Sequence, residues 1–535
     1  MFYAEMNGDG RHCRRLVARD GNSNNREVVF GASSGAHPRS FQHSLCLVPC
    51  FSLAKSKVHV IIKTFIFYQQ QRKHMLKIYN SMTQEKEIFQ PLQPNKINIY
   101  VCGPTVYDFC HIGNGRTYAA FDVIIRYLRW RGYNVTYVRN ITDIDDKIIK
   151  RANENKEAFI TVVQRFTTAM HDDFTKLGLL SPDHEPRATE YVPQIIKFIE
   201  KLISHHCAYV ANNGDVYYDV RQFKEYGCLS HHDIDQLESG ARVEINDVKR
   251  DPLDFVLWKL AKPDEPFWES PWGAGRPGWH IECSAMSTSL FGDQFDLHGG
   301  GKDLIFPHHE NEIAQSEAAT KKKFVSIWMH AGYLQIEKEK MSKSLGNFST
   351  IRDLLKNNKP EVLRYFMITS HYRSPVHYSE HALVQAHNAL ERFYNTLRGL
   401  PKALPLPESE FEKKFIAAMD DDFNTPVAFA TLFELAHEIQ RLRDKDVSLA
   451  AQYGALLQLL GGVFGILQDN PESFLQGDND TLPVEKIEAL IAARNQARAD
   501  KKWAEADRIR DELLAISIAL EDAVSGTKWK RITTR

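Results

Sequence analysis

Three scarcities limit what this chain of 535 residues can be. No apolar run reaches about 18 residues without a charge, which excludes an ordinary transmembrane helix. Eight scattered cysteines do not form a disulfide framework, so a useful cysteine here binds metal or does chemistry in a reducing compartment. The formal net charge is −1, so a nucleic-acid partner needs a local basic surface. We therefore expect a cytoplasmic protein that does not associate with membranes.

Acidic residues are missing between Val28 and Gln84, and the first 74 residues are rich in Ser, Asn, Arg and Gly. A basic, acid-free leader is typical of organelle transit peptides. The alternative is a disordered or spurious extension, which we favour. In both cases the folded part is expected to start near Met75.

The first folded segment alternates between strand and helix patterns. A short apolar run covers Ile97–Cys102, helical spacing follows from Thr117 to Arg131, and a second strand covers Val135–Val138. This βαβ pattern predicts a Rossmann-like, doubly wound parallel sheet. Ligands in such sheets bind at the carboxyl ends of strands, and Cys102 stands at one of these ends.

Later segments change character. Apolar runs on either side of Asn213-Gly214 predict a hairpin, and helical periodicity dominates from about Tyr378 to about Ala515. We therefore expect an α/β catalytic domain with an α+β insertion, then an α-helical bundle and a small C-terminal α+β domain. The expected divisions are an extension (1–74), the α/β domain in two halves (75–191 and 274–323), a connective insertion (192–273), a region that contains Lys340-Met-Ser-Lys-Ser344 (324–384), the bundle (385–479) and a C-terminal domain (480–535).

Four side chains have the chemistry of a zinc site. Pro307 is a good first residue for a helix, on which His308 and Glu312 would share one face. Cys102 and Cys283 add two potential thiolates, a ligand set that zinc accepts. The alternatives are a solvated helix start and two small buried cysteines, and the spacing alone leaves them open.

Two short motifs suit a nucleotide. His111-Ile-Gly-Asn114 lies between the first strand and first helix, where Gly113 admits a phosphate and His111 can donate to its oxygens. Lys340-Met-Ser-Lys-Ser344 offers two lysines that can neutralise charge on a triphosphate. Each motif alone also fits an ordinary loop or a solvated surface, but the two occur together on a βαβ pattern.

This combination resembles the class I aminoacyl-tRNA synthetases, and the flanking text resembles their cysteinyl-tRNA synthetase family. The similarity covers the chain from about Met75 to its C-terminus. The stretches that carry it are Tyr100–Tyr107 (Tyr-Val-Cys-Gly-Pro-Thr-Val-Tyr), Asn140–Lys147 (Asn-Ile-Thr-Asp-Ile-Asp-Asp-Lys), Gly275–Ser284 (Gly-Arg-Pro-Gly-Trp-His-Ile-Glu-Cys-Ser) and Phe306–Glu312 (Phe-Pro-His-His-Glu-Asn-Glu).

The resemblance implies a reaction and its metal. Cysteine and ATP would give cysteinyl-adenylate, and the cysteinyl group would pass to the terminal ribose of the tRNA for cysteine. Zinc, one ion per chain, would be held by Cys102, Cys283, His308 and Glu312 and would bind the substrate thiolate. Magnesium would accompany ATP. The resemblance also suggests a monomer.

It further implies roles for single residues. His111, Asn114, Lys340 and Lys343 would be the catalytic residues. ATP would contact His111, Gly113, Asn114, Gly300, Asp303 and Lys343, and the cysteine pocket would be lined by Thr142, Trp279 and His280. The generic first motif ends in His, whereas Asn114 stands here; Asn can donate to a phosphate but carries no charge.

The C-terminal part would read the anticodon. Trp503 and Trp529 are candidates for stacking on bases, with solvated helices and core tryptophans as the alternative. The basic residues of this region are Arg494, Arg498, Lys501, Lys502, Arg508, Arg510, Lys528, Lys530 and Arg531.

Three other functions are weighed against this one. A ligase that transfers cysteine to an amino sugar needs no anticodon reader, so the C-terminal module argues against it. A zinc hydrolase on the His308, His309 and Glu310 cluster lacks the His-Glu-x-x-His spacing. A non-catalytic RNA-binding paralogue is disfavoured by the intact Lys340, Lys343 and metal positions.

Overall fold

The architecture comes from a computed structural model, which describes residues 75–233, 248–336, 339–340, 349–477, 482–523 and 526–531. The predicted leader and Lys343 lie outside these ranges. No helix in the described ranges is long and apolar enough to span a bilayer.

The N-terminal part of the described chain contains a hairpin, two strands of the central sheet and four helices. The hairpin is antiparallel, and the two sheet strands are parallel to each other. In order, the elements are β1 (Lys77–Asn80), β2 (Glu85–Ile88), β3 (Lys96–Val101), α1 (Ile112–Trp130), β4 (Asn134–Arg139), α2 (Asp146–Asn155), α3 (Phe159–Lys176) and α4 (Val192–Ser204).

The first of these helices begins five residues earlier than the sequence pattern predicted, at Ile112 and not Thr117. His111 is its N-cap: the Asn114 amide donates to His111 Nδ1 at 3.2 Å, and the His111 amide donates to Asn114 Oδ1 at 3.1 Å. This reciprocal cap satisfies two amides that a helix start leaves unpaired. The predicted loop His111–Asn114 is therefore the cap and first turn of α1.

The insertion is an antiparallel sheet, as predicted. Its strand order is β5-β6-β7-β8, and the hairpin predicted around Asn213-Gly214 joins the first two strands. The strands are β5 (Ala208–Val210), β6 (Val216–Tyr218), β7 (Phe255–Leu260) and β8 (Gly275–Pro277).

The chain then returns to the central sheet, which has the order β10-β9-β3-β4 with all neighbours parallel. The new elements are α5 (Trp279–Phe291), β9 (Phe295–Gly301), α6 (Glu310–Thr320) and β10 (Val325–Ala331). The chain proceeds from β3 to β4 on one side and from β9 to β10 on the other. The boundary between β3 and β9 is thus a topological switch point, where ligands of open parallel sheets bind.

The pleat of β3 decides which side of the sheet each residue faces. Ile97, Ile99 and Val101 pack into the core that contains α1, whereas Tyr100 and Cys102 pack into the core on the other face. This alternation follows from the period of two in a strand. Cys102 therefore faces the same core as Cys283.

A small sheet and the bundle follow. The sheet has the order β12-β11-β13, and its elements and two nearby helices are β11 (Leu334–Ile336), β12 (Glu339–Lys340), α7 (Ile351–Leu355), α8 (Pro360–Ile368) and β13 (Val376–Tyr378). The bundle comprises α9 (Glu380–Leu397), α10 (Glu410–Asp420), α11 (Thr425–Leu442), α12 (Val447–Val463) and α13 (Pro471–Gln476). The C-terminal unit pairs two helices with a hairpin: α14 (Val484–Ala499), α15 (Trp503–Ala515), β14 (Ile518–Ala523) and β15 (Gly526–Arg531).

One buried carboxylate joins the bundle to the catalytic domain. Asp422, just after α10, is fully buried and accepts hydrogen bonds from the Tyr79 amide at 2.9 Å, the Tyr372 hydroxyl at 2.8 Å and Arg373 Nε at 2.7 Å. Its φ of 64° is in the left-handed region, which Asp tolerates better than most residues. Two distant segments, one with Tyr79 and one with Tyr372 and Arg373, thus share one acceptor.

We predict that Asp422→Asn lowers the free energy of unfolding by at least about 2 kcal/mol, because it leaves Arg373 without its buried counter-charge. Asp421→Asn is the matched control, since the Asp421 side chain is 51% exposed and its carboxylate pairs with Lys86 at the surface; it should cost less than about 1 kcal/mol. Urea denaturation followed by tryptophan fluorescence measures both. Equal effects of the two substitutions would contradict the role given to Asp422.

Candidate metal and nucleotide site

The four predicted metal ligands converge at the switch point. Cys102 Sγ lies 3.7 Å from Cys283 Sγ, 3.5 Å from His308 Nε2 and 3.5 Å from Glu312 Oε1. His308 Nε2 lies 3.0 Å from Glu312 Oε1. All four side chains are buried, and neither cysteine is in a disulfide.

The four ligands reach this point from three segments of the chain. Cys102 follows β3, and its amide donates to Gly299 of the neighbouring strand at 3.0 Å. Cys283 is in the first turns of α5, and Glu312 is in the first turn of α6. His308 is in residues 305–309, which lead directly into α6. Phe306 is extended and the backbone is helical from Pro307 onward, so the predicted helix start at Pro307 agrees with the structure and places His308 one turn before Glu312.

The spacing of the donor atoms fits zinc. A tetrahedral ion with Zn–S bonds of about 2.3 Å and Zn–N bonds of about 2.0 Å separates its sulfurs by about 3.8 Å and a sulfur from a nitrogen by about 3.5 Å. The observed separations are 3.7 Å and 3.5 Å. Two sulfurs, one imidazole and one carboxylate are also ligands that zinc accepts. The cluster is therefore consistent with a zinc site.

The protonation of the cluster is shaped by burial and by its own charges. Burial opposes the thiolate of Cys283, but hydrogen bonds from Cys102 and His308 lower its pKa to about 6. Burial also opposes the charges of His308 and Glu312. The attraction of Glu312 nevertheless raises the pKa of His308 to about 10. In the same way, His298 and His308 lower the pKa of Glu312 to about 2. Burial and the hydrogen bond to Cys283 raise the pKa of Cys102. Metal binding must therefore displace protons from Cys102 and His308.

His308 is oriented by two neighbours that were predicted to line the amino-acid pocket. The Nδ1 atom of His308 lies 3.0 Å from Nδ1 of His280. Burial and the nearby His308 lower the pKa of His280. A neutral His280 accepts at this nitrogen, so His308 donates from Nδ1 and directs Nε2 to the cluster. The ring of Trp279 stacks on the His308 ring with centroids 4.2 Å apart. Trp279 remains 37% exposed and forms an outer wall of the site.

Three further histidines lie close to the cluster. No role was predicted from the sequence for His298 and His330, and His309 was considered only for the rejected hydrolase. His298 Nε2 lies 2.8 Å from Glu312 Oε2, while its Nδ1 lies 3.0 Å from the Tyr100 carbonyl. His309 Nδ1 lies 2.7 Å from His330 Nε2. Cys102, His298, His309 and Glu312 form a second possible ligand set.

Thr142 follows β4 and is buried at the same edge of the sheet, next to Thr105. Its hydroxyl donates to Glu282 Oε2 at 2.9 Å. Glu282 was part of a quoted motif but received no role from the sequence. Its position one residue before Cys283 is the signal that would have suggested one.

The two nucleotide motifs meet through the segment that follows the second one. His111 forms an antiparallel bridge with Thr350, and the Ile112 amide donates to the Ser349 carbonyl at 3.0 Å. His111 Nδ1 accepts the Asn114 amide, so the proton of the neutral ring is on Nε2. Lys340 ends β12, and Lys343 lies outside the described residues.

The glycines at the end of β9 serve packing as well as access. A Cβ on Gly299 would lie 2.3 Å from the Phe121 ring, and one on Gly300 would lie 2.8 Å from Leu304. The space above Gly299 is thus filled by α1. Asp303, in the next turn, is exposed.

The C-terminal unit uses much of its basic charge internally. Arg494 and Arg498 pair with Asp522, and Arg508 pairs with Glu505. Trp529 is 1% exposed, and its indole donates to Glu488 at 2.6 Å, so stacking of Trp529 on a base is wrong; it is a core residue. Trp503 is 59% exposed, so its ring is accessible for stacking on a base.

The fold and the paired motifs define a class I aminoacyl-tRNA synthetase. Residues 88–388, more than half of the chain, match the family of tRNA synthetases class I (C) catalytic domains. Residues 414–468 match the DALR domain, and residues 483–529 match the cysteinyl-tRNA ligase anticodon binding domain. Methionyl-tRNA synthetase of Mycobacterium tuberculosis, solved with methionyl-adenylate, shares the fold with a TM-score of 0.50 at 14% identity, over 69% of this chain and 90% of that chain.

Individual relatives narrow the family. The chain is 58% identical over 457 residues to cysteine–tRNA ligase of Coxiella burnetii (strain Dugway 5J108-111), covering 85% of this chain and 100% of that protein. It is 59% identical over 458 residues to cysteine–tRNA ligase of Azotobacter vinelandii, covering 85% of this chain and 99% of that protein. The chain belongs to the cysteinyl-tRNA synthetase family.

We predict that Cys283→Ala lowers zinc affinity more than about 100-fold, because even partners of a ligand contribute about 10- to 100-fold. Cys207→Ala is the matched control, since Cys207 is a buried, unbridged cysteine in the insertion. Zinc retained after dialysis, measured by elemental analysis, reports both. Unchanged zinc in Cys283→Ala would favour the second ligand set, which lacks this residue.

Proposed function

We propose that the protein ligates L-cysteine to its cognate tRNA with ATP, through a cysteinyl-adenylate intermediate. The observation that carries this proposal is the convergence of Cys102, Cys283, His308 and Glu312 at the carboxyl end of β3, the strand that leads into the His111 motif. An amino-acid side chain and the α-phosphate of ATP can then be held within one crevice. Catalysis of adenylation needs positioning and charge stabilisation, with no protein nucleophile.

We assign one zinc ion per chain to Cys102, Cys283, His308 and Glu312. This set is preferred to the second one because His298 is already held between Glu312 and the Tyr100 carbonyl, and His309 is held by His330. Such contacts are typical of residues that orient ligands. Bound zinc supplies a strong preference for a thiolate over a hydroxyl.

This preference addresses the hardest discrimination for the enzyme. Cysteine and serine differ in one atom, and a pocket that relies on shape rejects near-isosteres poorly, by about 10- to 200-fold. A ligand set that distinguishes sulfur from oxygen can supply the remaining discrimination in the binding step. The insertion, a four-stranded sheet joined to α5, does not need an editing role in this account.

The nucleotide is assigned to the neighbouring crevice. His111 Nε2 carries a proton and can donate to a phosphate oxygen, and Gly113 and Asn114 are in the first turn of α1, where the helix dipole favours an anion. Gly300 and Asp303 are assigned to the nucleoside, and Lys340 and Lys343 to the triphosphate, with Mg²⁺ as its counter-ion. Thr142, Trp279 and His280 line the cysteine pocket.

The remaining parts are assigned to tRNA. We retain the division into 75–191, 192–273, 274–323, 324–384, 385–479 and 480–535, with 324–384 contacting the stem and 480–535 reading the anticodon. Exposed Trp503 and the neighbouring Lys501 are the best-placed candidates for base stacking and phosphate contact. A monomer in the cytoplasm remains the proposal for assembly and location.

We predict that the zinc-replete protein catalyses cysteine-dependent ATP–pyrophosphate exchange. The kcat/KM for serine in this exchange should be less than about 10⁻⁴ of that for cysteine. Serine is the matched substrate control because it lacks only the sulfur. Transfer of radiolabelled cysteine to tRNA then distinguishes this enzyme from a ligase that uses an amino sugar. Absence of exchange, or exchange without transfer to tRNA, would refute the proposed function.

A further inference from the structure

Glu282 is a buried acid whose environment the zinc and nucleotide sites leave unexplained. It is in the first turn of α5 and is 0% exposed. Oε2 accepts the hydrogen bond from Thr142, whereas Oε1 has no hydrogen-bond partner in the part of the chain that the structure describes. An unpaired buried acceptor destabilises a protein, so natural sequences keep one where a ligand or water completes it.

Glu282 lies close to other acidic groups. Burial first, and then the nearby Cys283, Asp143 and Asp145, raise the pKa of Glu282, and its hydrogen bond with Thr142 opposes this shift. Asp143 already accepts hydrogen bonds from the Thr189 amide at 3.0 Å and the Thr189 hydroxyl at 2.6 Å. Asp145 caps α2 through the Lys147 amide. Glu282 has a fully buried oxygen without a partner among the described residues, and a cationic part of a ligand would suit such a group.

The hydrogen bond to Glu282 sets what Thr142 can offer a ligand. A hydroxyl has one hydrogen and two lone pairs. The hydrogen of Thr142 is directed to Glu282, and Asn140 Nδ2 lies 3.4 Å from the same oxygen. Thr142 is left with acceptor capacity only, and the α-ammonium group of an amino acid is a donor only.

We propose that Glu282 is a positioning residue for the substrate: it holds the Thr142 hydroxyl as an acceptor for the α-ammonium group of the amino acid. This inference rests on the proposed function, since it requires an amino acid as the ligand. Glu282 and Cys283 are adjacent on α5, so one helical turn serves both ends of cysteine. Cys283 belongs to the group that selects the thiol, and Glu282 acts on the ammonium through Thr142.

The test compares Glu282→Gln, Thr142→Val and the double variant in cysteine-dependent ATP–pyrophosphate exchange. Each single substitution should raise the KM for cysteine about tenfold or more, the effect of losing a hydrogen bond to a charged group. The KM for ATP and the zinc content should stay as in the wild type. Because Glu282 acts through the Thr142 hydroxyl, the double variant should be no worse than the poorer single variant.

Two substrate fragments separate the ammonium from the rest of cysteine. Cysteamine keeps the thiol and the ammonium, whereas 3-mercaptopropionate keeps the thiol and the carboxylate. In Glu282→Gln the inhibition constant of cysteamine should rise with the KM for cysteine, and that of 3-mercaptopropionate should change less than about twofold. A general disturbance of the site would weaken both inhibitors alike.

Glu361→Gln is the matched control for the substitution itself. Glu361, in the first turn of α8, also accepts a hydrogen bond from a hydroxyl, that of Tyr394 at 2.8 Å, but this contact joins α8 to the bundle. The Glu361→Gln variant should have the wild-type KM for cysteine, even if its thermal stability is lower.

Three results would overturn the inference: an unchanged KM for cysteine in Glu282→Gln, additive effects in the double variant, or loss of zinc in Glu282→Gln. If Glu282→Gln does not fold, Thr142→Val alone decides, and an unchanged KM for cysteine there overturns the inference equally. Wild-type exchange separates this inference from the proposed function. Without wild-type exchange both are refuted, whereas wild-type exchange with normal Glu282→Gln kinetics refutes the inference alone.

Discussion

The buried contact among two sulfurs, one imidazole and one carboxylate is the constraint on which the catalytic domain depends. Cys102, Cys283 and the pair His308 and Glu312 come from three separate segments, and their donor atoms lie within 4.8 Å of one another. Burying such groups together is unfavourable unless they are paired or bind a metal. The parallel register of β3 and β9, the pleat that turns Cys102 towards α5, and the turn before α6 all serve this meeting.

The same arrangement joins selection of the amino acid to binding of the nucleotide. His308 is steadied by His280 and Trp279 on the pocket side. On the other side of β3, His111 caps α1 and pairs with Thr350, just beyond the second nucleotide motif. In the proposed function, the thiol would bind on the side of β3 that faces α5, and the phosphate would bind at the start of α1. Asp422 then fixes the helical bundle to this body through Tyr79, Tyr372 and Arg373.

Local sequence patterns predicted much of the fold. Apolar runs located β3 and β4, and helical periodicity located the bundle, because burial is repeated at the period of the element. The start of α1 was missed because its first turn, with Gly113 and Asn114, has no apolar stripe and is defined by the His111 cap. The helical start at Pro307, before α6, was predictable because proline suits the first position of a helix.

The residues of the site were predictable only where they belong to a recognised sequence motif. Spacing could not bring Cys102 to Cys283, since 181 positions separate them and the sheet supplies the contact. The family resemblance identified this group, but it did not indicate the hydrogen bonds of His298 or Glu282, which depend on distant partners. For Trp529 the sequence allowed a role that the structure excludes. A tryptophan in a basic region is a candidate for base stacking, but Trp529 is buried against α14 and does not reach solvent.

Zinc K-edge X-ray absorption of the zinc-loaded protein tests the central claim most directly. The account predicts a first shell with two sulfurs, from Cys102 and Cys283, and nitrogen or oxygen from His308 and Glu312. Saturating cysteine should raise the sulfur count to three, and saturating serine should leave it at two. A shell with one sulfur before substrate, or a count that cysteine does not change, would contradict the claim that these four residues hold a metal that selects the thiol.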